Sequence, residues 1–158
     1  MIVVDLQAAQ SLGSGNRGIG RYTRDLVRAI VTRHPDAVDR FTYNPALPTD
    51  PRLLDIVPAD RFVPIHDLAG QPIDVFHMTS PFESVPADHL LPAAPVGGLV
   101  ATCFDLIPYR FQERYLDPHE RPTYLTRLTV LQTCAAIVTD SASAADDCHQ
   151  LLGVPRER

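Results

Sequence analysis

The chain has 158 residues, 45% of them apolar and 21% charged, with a formal net charge of −5. That length suits one domain that buries about 70% of its unfolded surface, and the mix is that of a folded globular chain. The acidic balance argues against a general nucleic-acid binder, which needs a basic surface to displace counterions from phosphates.

No apolar run reaches the roughly 18 to 20 residues that span a bilayer, and the opening MIVVDLQ lacks a charged leader followed by an apolar stretch. A cytoplasmic location is therefore expected. Cys103, Cys134 and Cys148 are odd in number and show no C-x-x-C spacing. This disfavours zinc and disulfide frameworks and predicts buried thiols.

Ile2 to Leu6 is a short apolar run that suits a buried strand. The stretch GSGNRGIGRYTRDLVRAI follows, with Gly13, Gly15 and Gly18 at G-x-G-x-x-G spacing. Ile19, Tyr22, Leu26, Val27, Ile30 and Val31 then trace one helix face, and Arg17, Arg21, Arg24 and Arg28 fall on the other. Pro35 stops this helix. Further strands are predicted at Phe41 to Tyr43, Arg61 to Ile65, Ile73 to His77, Gly97 to Phe104 and Ala135 to Thr139, with helices at Pro118 to Thr133 and Ser141 to Leu152. Asn44 to Pro58 reads as an irregular connection with one short helix, and Glu83 to Pro95 as another connection. Strands that are continuous apolar runs alternating with helices predict an α/β fold, a Rossmann-like open and mostly parallel sheet flanked by helices. The end, LLGVPRER, follows a helix where another strand would begin, an interrupted pattern that suggests an excised domain or a truncated product.

Ligands of such sheets gather at the carboxyl ends of the strands. Four distinctive patterns fall there: GSGNRGIG, HMTSPFE, FDLIPYRF and TDSAS. The chain has no Lys, so a Walker A phosphate loop is excluded. A dinucleotide clamp needs its glycines directly after the strand, yet Gln7 to Leu12 intervene. A flexible turn without a ligand is one reading. The other is a longer loop whose N–H groups and helix start face an anion or a sugar, with Arg17 and Arg21 adding positive charge. His77 ends a strand and is either packed or in contact with a ligand. Glu83 and Asp105 are candidates for accepting sugar hydroxyls or acting as general base, although Asp105 also suits a turn cap before Pro108. Ser141 and Ser143 suit helix capping or a substrate bond. In PYRFQERY aromatic and basic residues interleave, which suits a lipid head group or a packed connection.

With these residues in order, the chain resembles the N-terminal half of GT-B glycosyltransferases, specifically the retaining family 4, also called the glycosyl transferases group 1. The carriers are GSGNRGIGRYTRDLVRAI, DVFHMTSPFE, VATCFDLIPYRFQERYL and AAIVTDSASAADDCHQLLGVPRER. The resemblance implies that residues 1–158 form a single acceptor-side domain whose C-terminal donor-binding partner domain is missing from this chain. Such a half is expected to be inactive alone. The complete enzyme would transfer a sugar from a nucleotide sugar to a glycan or lipid-linked acceptor with retention, without a metal or a cofactor, at the inner face of the membrane through peripheral contact. The surface left by the missing domain could pair two copies as a homodimer.

Carried over by position, Gly15, Asn16 and Gly18 match the family's loop near the donor phosphates and the acceptor, and His77 matches a strand end facing the cleft. Many members have His-Asp where this chain has Phe104-Asp105, so Asp105 is expected to take over part of that role. His77 and Asp105 are thus the candidate catalytic residues, and Gly15, Asn16, Arg17, Gly18, Glu83, Phe104 and Ser141 the candidate substrate contacts. Two rival readings remain at this stage. One is an NAD-type binding domain using Asp36 or Asp39 as its downstream acid. The other is a non-catalytic glycan- or partner-binding module.

Overall fold

A computed structural model describes residues 1–82 and 90–158. All six predicted strands form: β1 (Ile2–Asp5), β2 (Arg40–Tyr43), β3 (Phe62–Pro64), β4 (Ile73–Met78), β5 (Val96–Cys103) and β6 (Ala136–Thr139). They make one sheet in the order β3-β2-β1-β4-β5-β6, with every neighbouring pair parallel. The order reverses between β1 and β4, which opens a crevice at their carboxyl ends.

Strand periodicity explains why the apolar runs are continuous. Val3 pairs with Phe76 on one face, where they pack with Leu128, Leu131 and Leu152. Val4, one residue on, points to the opposite face and packs with Leu6, Val27 and Phe41. Both faces are covered, so neither side of a strand is polar throughout.

The helices are α1 (Gln7–Gln10), α2 (Gly18–Arg33), α3 (Pro51–Leu54), α4 (Ile107–Arg110), α5 (Gln112–Tyr115), α6 (Arg121–Thr133) and α7 (Ala142–Leu152). α2 ends one residue before His34 and Pro35, as the proline dictates. α6 starts three residues later than the sequence predicts, because Asp117 turns the chain first: its Oδ1 accepts the His119 N–H at 2.7 Å, and Pro122 then occupies the first turn, where no N–H is needed. α7 is capped at both ends. Ser141 Oγ accepts the Ala144 N–H at 3.2 Å, and Gly153 takes φ 69°, the left-handed conformation that closes a helix. The short helix within 44–58 is α3, started by Asp50 with Pro51 behind it. Most of the connection predicted from Glu83 to Pro95 lies outside the described residues.

Two readings of the glycine stretch are corrected. Gln7 to Leu12 is not a plain loop, since residues 7–10 form the buried helix α1. Arg24 is also not on a solvated face: it is 8% exposed and bonds inward. Its guanidinium meets the Asp50 carboxylate in the turn before α3 and the Gly15 carbonyl in the glycine loop.

Candidate functional site

The chain leaves β1 through a buried polar network. Asp5 Oδ1 accepts hydrogen bonds from Gln7 Nε2 at 3.1 Å and Thr42 Oγ1 at 3.2 Å. Asn44 Nδ2 donates to Gln7 Oε1 at 3.2 Å, its N–H donates to Gln10 Oε1 at 2.8 Å, and Gln10 Nε2 returns a bond to Asn44 O at 3.0 Å. Thr79 Oγ1 donates to Asp5 O at 2.9 Å, which ties the end of β4 to the end of β1. Buried amides that satisfy one another fix a single arrangement, because any alternative leaves polar atoms unpaired.

The glycine loop is held from its far side by charge. Arg24 Nη1 donates to Gly15 O at 2.7 Å and to Asp50 Oδ2 at 2.9 Å. Arg52 grips the same carboxylate, through Nε to Oδ1 at 2.8 Å and Nη2 to Oδ2 at 2.9 Å, and also donates to Asn16 Oδ1 at 2.8 Å. Burial alone would push the Asp50 carboxyl up, but the Arg52 hydrogen bonds and the charges of Arg52 and Arg24 outweigh it and hold it below its ordinary value.

Glycine is required at two places here. A Cβ on Gly15 would lie 2.6 Å from Ala9 O and Ser11 O, and one on Gly20 would lie 2.1 Å from Gly15 O. Gly18 has nothing within 4 Å of such an atom. The G-x-G-x-x-G spacing therefore marks one essential glycine, and the second lies outside it.

Above this frame an open cleft of about 400 Å³ is lined by Gly13, Ser14, Arg17, Gly18, Ile19, Tyr22, Phe104, Asp105 and Asp140. The ends of β5 and β6, the glycine loop and the start of α2 meet there. α2 begins at Gly18, its N-cap Arg17 makes no side-chain cap bond, and Arg17, Gly18 and Ile19 at its positive end line the cleft. Tyr22 stands edge-on to Phe104, with ring centres 5.1 Å apart and planes at 88°. The Tyr22 hydroxyl is 3.4 Å from Thr102 Oγ1, and Thr102 Oγ1 is 3.0 Å from His77 Nε2. Burial lowers the pKa of His77, which favours the neutral imidazole. Asp105 is exposed, and its Oδ1 accepts the Ile107 N–H at 2.9 Å, so it does cap the turn before Pro108. A carboxylate retains acceptor capacity beyond one such bond.

Of the residues singled out from sequence, Arg17, Gly18, Phe104 and Asp105 come together in this cleft. Gly15 and Asn16 line a second hollow of about 380 Å³ on the other flank of the loop, with Leu12, Pro48, Thr49 and Arg52. His77 stands one layer back and reaches the cleft wall through Thr102 and Tyr22. Ser141 caps α7, and Glu83 lies outside the described residues.

Sequence reasoning missed Tyr22, Thr102 and Asp140. Tyr22 falls on the apolar face of α2, and Thr102 lies within an apolar strand. Asp140 directly follows β6, and that position was its signal. Among the described residues, no group of three or more His, Cys, Asp or Glu is placed to hold a metal ion.

The acid that a dinucleotide clamp needs lies at the carboxyl end of the second strand, beside the ribose. Asp36 and Asp39 both precede β2, and Asp39 Oδ2 accepts the Ile2 N–H at 2.6 Å at the opposite edge of the sheet. The carboxyl end of β2 carries Asn44, already bonded within the buried network. The dinucleotide reading therefore lacks its acid.

The fold and cleft define a Rossmann-like α/β domain with an open crevice at the carboxyl edge of its sheet. The chain is similar to the serotype-specific mannosyltransferase WbdA of Escherichia coli, at 27% identity over 157 residues, covering 88% of this chain and 18% of that protein. That likeness suggests a glycosyltransferase. No family model and no solved structure matches the chain.

Proposed function

We propose that this chain is the acceptor-side half of a retaining glycosyltransferase of family 4, which works with a donor-binding domain beyond these residues. The observation that carries the reading is the cleft itself: a glycine loop, the start of α2, Arg17 and Asp105 converge at the carboxyl edge of the sheet in a chain similar to a mannosyltransferase. That relative is far longer than this chain, so room for a partner domain exists in proteins of this kind.

In this reading the nucleotide sugar approaches from the partner domain. Arg17 and the start of α2 meet its phosphates, because a cation and the positive helix end both favour negative charge. Asp105 accepts hydroxyl hydrogens of the transferred sugar, the role for which Phe104 has no polar atom. His77, neutral and bonded to Thr102, holds the Tyr22 hydroxyl and ring against Phe104 and acts as a positioning residue. Gly15 and Asn16 keep the loop in the shape the acceptor meets. Closure of two domains over the cleft would expel water and align the reacting groups, an effect worth about 7 to 11 kcal/mol in well-oriented systems.

The test is a transfer assay on the chain alone and on a longer protein that contains it, with GDP- and UDP-sugars and a mannoside acceptor. Transfer by the longer protein, its loss in Asp105→Asn, and none by the chain alone support the reading. Full transfer by residues 1–158 alone, or unchanged transfer in Asp105→Asn, contradicts it.

A peripheral membrane contact belongs to the same proposal. No helix among the described residues is long and apolar enough to cross a membrane. Phe111 and Tyr115 are about half exposed, and Arg110, Arg114 and Arg121 ring a hollow of about 500 Å³ beside them. Replacing Phe111, Arg114 and Tyr115 by Ser is expected to weaken sedimentation with anionic vesicles, and unchanged sedimentation would remove the contact from the proposal.

A further inference from the structure

The hollow of about 380 Å³ on the far flank of the glycine loop has no task in the proposed function. Its polar lining includes Ser11, Asn16, Thr49 and Arg52, and Leu12 and Pro51 add apolar surface. Among the described residues, the charged side chains that line it are those of Asp50 and Arg52. Behind Asp50 stands Arg24, whose Nη1 is 2.9 Å from Asp50 Oδ2. Two guanidiniums thus share one carboxylate, and the cluster carries one positive charge that no acid in it balances.

The surplus charge sits on a guanidinium that is already fixed. Arg52 spends its Nε–H and both Nη2–H groups on Asp50 Oδ1, Asp50 Oδ2 and Asn16 Oδ1, at 2.8, 2.9 and 2.8 Å. A guanidinium carries five N–H donors in one plane, so the two on Nη1 remain, and no residue among those described accepts them. The bond to Asn16 Oδ1 also orients that amide and leaves its Nδ2 as the free end. Arg52 Nη1 and Asn16 Nδ2 are therefore donors held in place before any ligand arrives, which lowers the ordering cost of binding. Donors around a surplus positive charge select an anion with several acceptor oxygens, and arginine suits phosphoryl oxygens best. The hollow is larger than one such ion needs and falls in the size range of small-molecule sites.

We infer that this hollow is a second binding site, in which Arg52 and Asn16 hold the phosphoryl group of a phosphorylated sugar acceptor. The glycine loop separates it from the cleft: Gly13 and Ser14 line the cleft, and Gly15 and Asn16 line the hollow. An acceptor anchored by its phosphoryl group at Arg52 crosses this loop and presents its sugar on the side of Arg17 and Asp105. The anion site stands on its own geometry, while its assignment to the acceptor rests on the proposed glycosyltransferase reading. The donor's phosphates keep to the Arg17 side, so each flank of the loop serves one substrate.

The experiment is an NMR titration of the labelled chain at low ionic strength with inorganic phosphate, mannose 6-phosphate, methyl mannoside and GDP, reading the Arg52 Nε–H signal and the Thr49 amide. The expected result is that phosphate moves both signals, that mannose 6-phosphate moves them at lower concentration, and that methyl mannoside and GDP leave them in place. Arg52→Gln is expected to weaken mannose 6-phosphate binding about tenfold or more, the loss of a hydrogen bond to a charged group. Arg28→Gln removes the same charge from an exposed pair on α2 and is expected to change that affinity by less than about twofold. No response of Arg52 to either phosphate, equal losses in the two variants, or a stronger response to GDP would overturn the inference. A phosphate response that the sugar does not strengthen would also overturn it, as an adventitious ion only. The native titration decides this even if a variant folds poorly. Failure of the transfer assay is a separate result: it removes the acceptor as occupant and leaves the phosphate response of Arg52 unchanged.

Discussion

On the β1–β2 side of the carboxyl edge, Asp5, Gln7, Gln10, Thr42 and Asn44 are all buried and bond to one another, and Arg24 and Arg52 share Asp50 behind them. On the β5–β6 side the space beneath the cleft is filled by Cys103, Leu106, Leu131, Cys134 and Cys148. The first half is held by directional bonds with fixed partners, the second by apolar packing that tolerates exchange of similar volumes. The cleft lies where the two meet, so one wall is set by hydrogen-bond geometry and the other by helix packing.

The polar half is therefore expected to be the fragile one. Asp50→Ala leaves Arg24 without its carboxylate in a buried site and is expected to cost about 3 to 5 kcal/mol in denaturant unfolding. A cost near zero would mean that charge does not hold the loop. Gly20→Ala drives a methyl into Gly15 O and is expected to cost about 3 kcal/mol, because backbone cannot move aside as a flexible side chain does.

Acid sharpens the same point. The Asp50 carboxyl is held below its ordinary value of 3.8, so its contribution is present above that value and is lost as pH falls through the lower native one. His77, held below 6.5 by burial, acts in the same direction earlier, its contribution fading as pH falls below 6.5. The melting temperature of the native chain is expected to fall more steeply than that of Asp50→Asn below about pH 4. Parallel curves would show that the ion pair adds nothing.

The apolar half gives smaller effects. Leu131→Met keeps volume and polarity and is expected to cost less than about 1.5 kcal/mol. Gly18→Ala, with open space around the added carbon, is expected to stay within about 0.5 kcal/mol of the native chain. A large loss there would show that Gly18 is constrained by something other than packing.

The same division separates what was legible in the sequence from what was not. Six strands and the three long helices follow from local signals: apolar runs, the 3.6-residue face of α2, Pro35, and Ser141 with Gly153 around α7. These signals act within a few residues of where they are written. Arg24 meets Asp50 across 26 residues and Arg52 meets Asn16 across 36, and no local pattern announces such partners. Arg24 shows the cost: helix periodicity placed it outside, and a distant carboxylate drew it inside. The glycine spacing misled in a similar way, since Gly20 is fixed by the approach of Gly15 O and not by membership in the pattern. Phe104 and Asp105 were legible because they follow a strand directly. Tyr22 was not, because its hydroxyl finds Thr102 across 80 residues.

The measurement that bears most directly on the account is an amide NMR titration of this chain with NAD(H), GDP- and UDP-sugars and a mannoside acceptor. The account predicts no response to NAD(H), weak or absent shifts with nucleotide sugars, and acceptor-dependent shifts at Gly15, Asn16, Tyr22 and Asp105. Tight NAD(H) binding, or an acceptor that leaves all four of these amides unmoved, would contradict it.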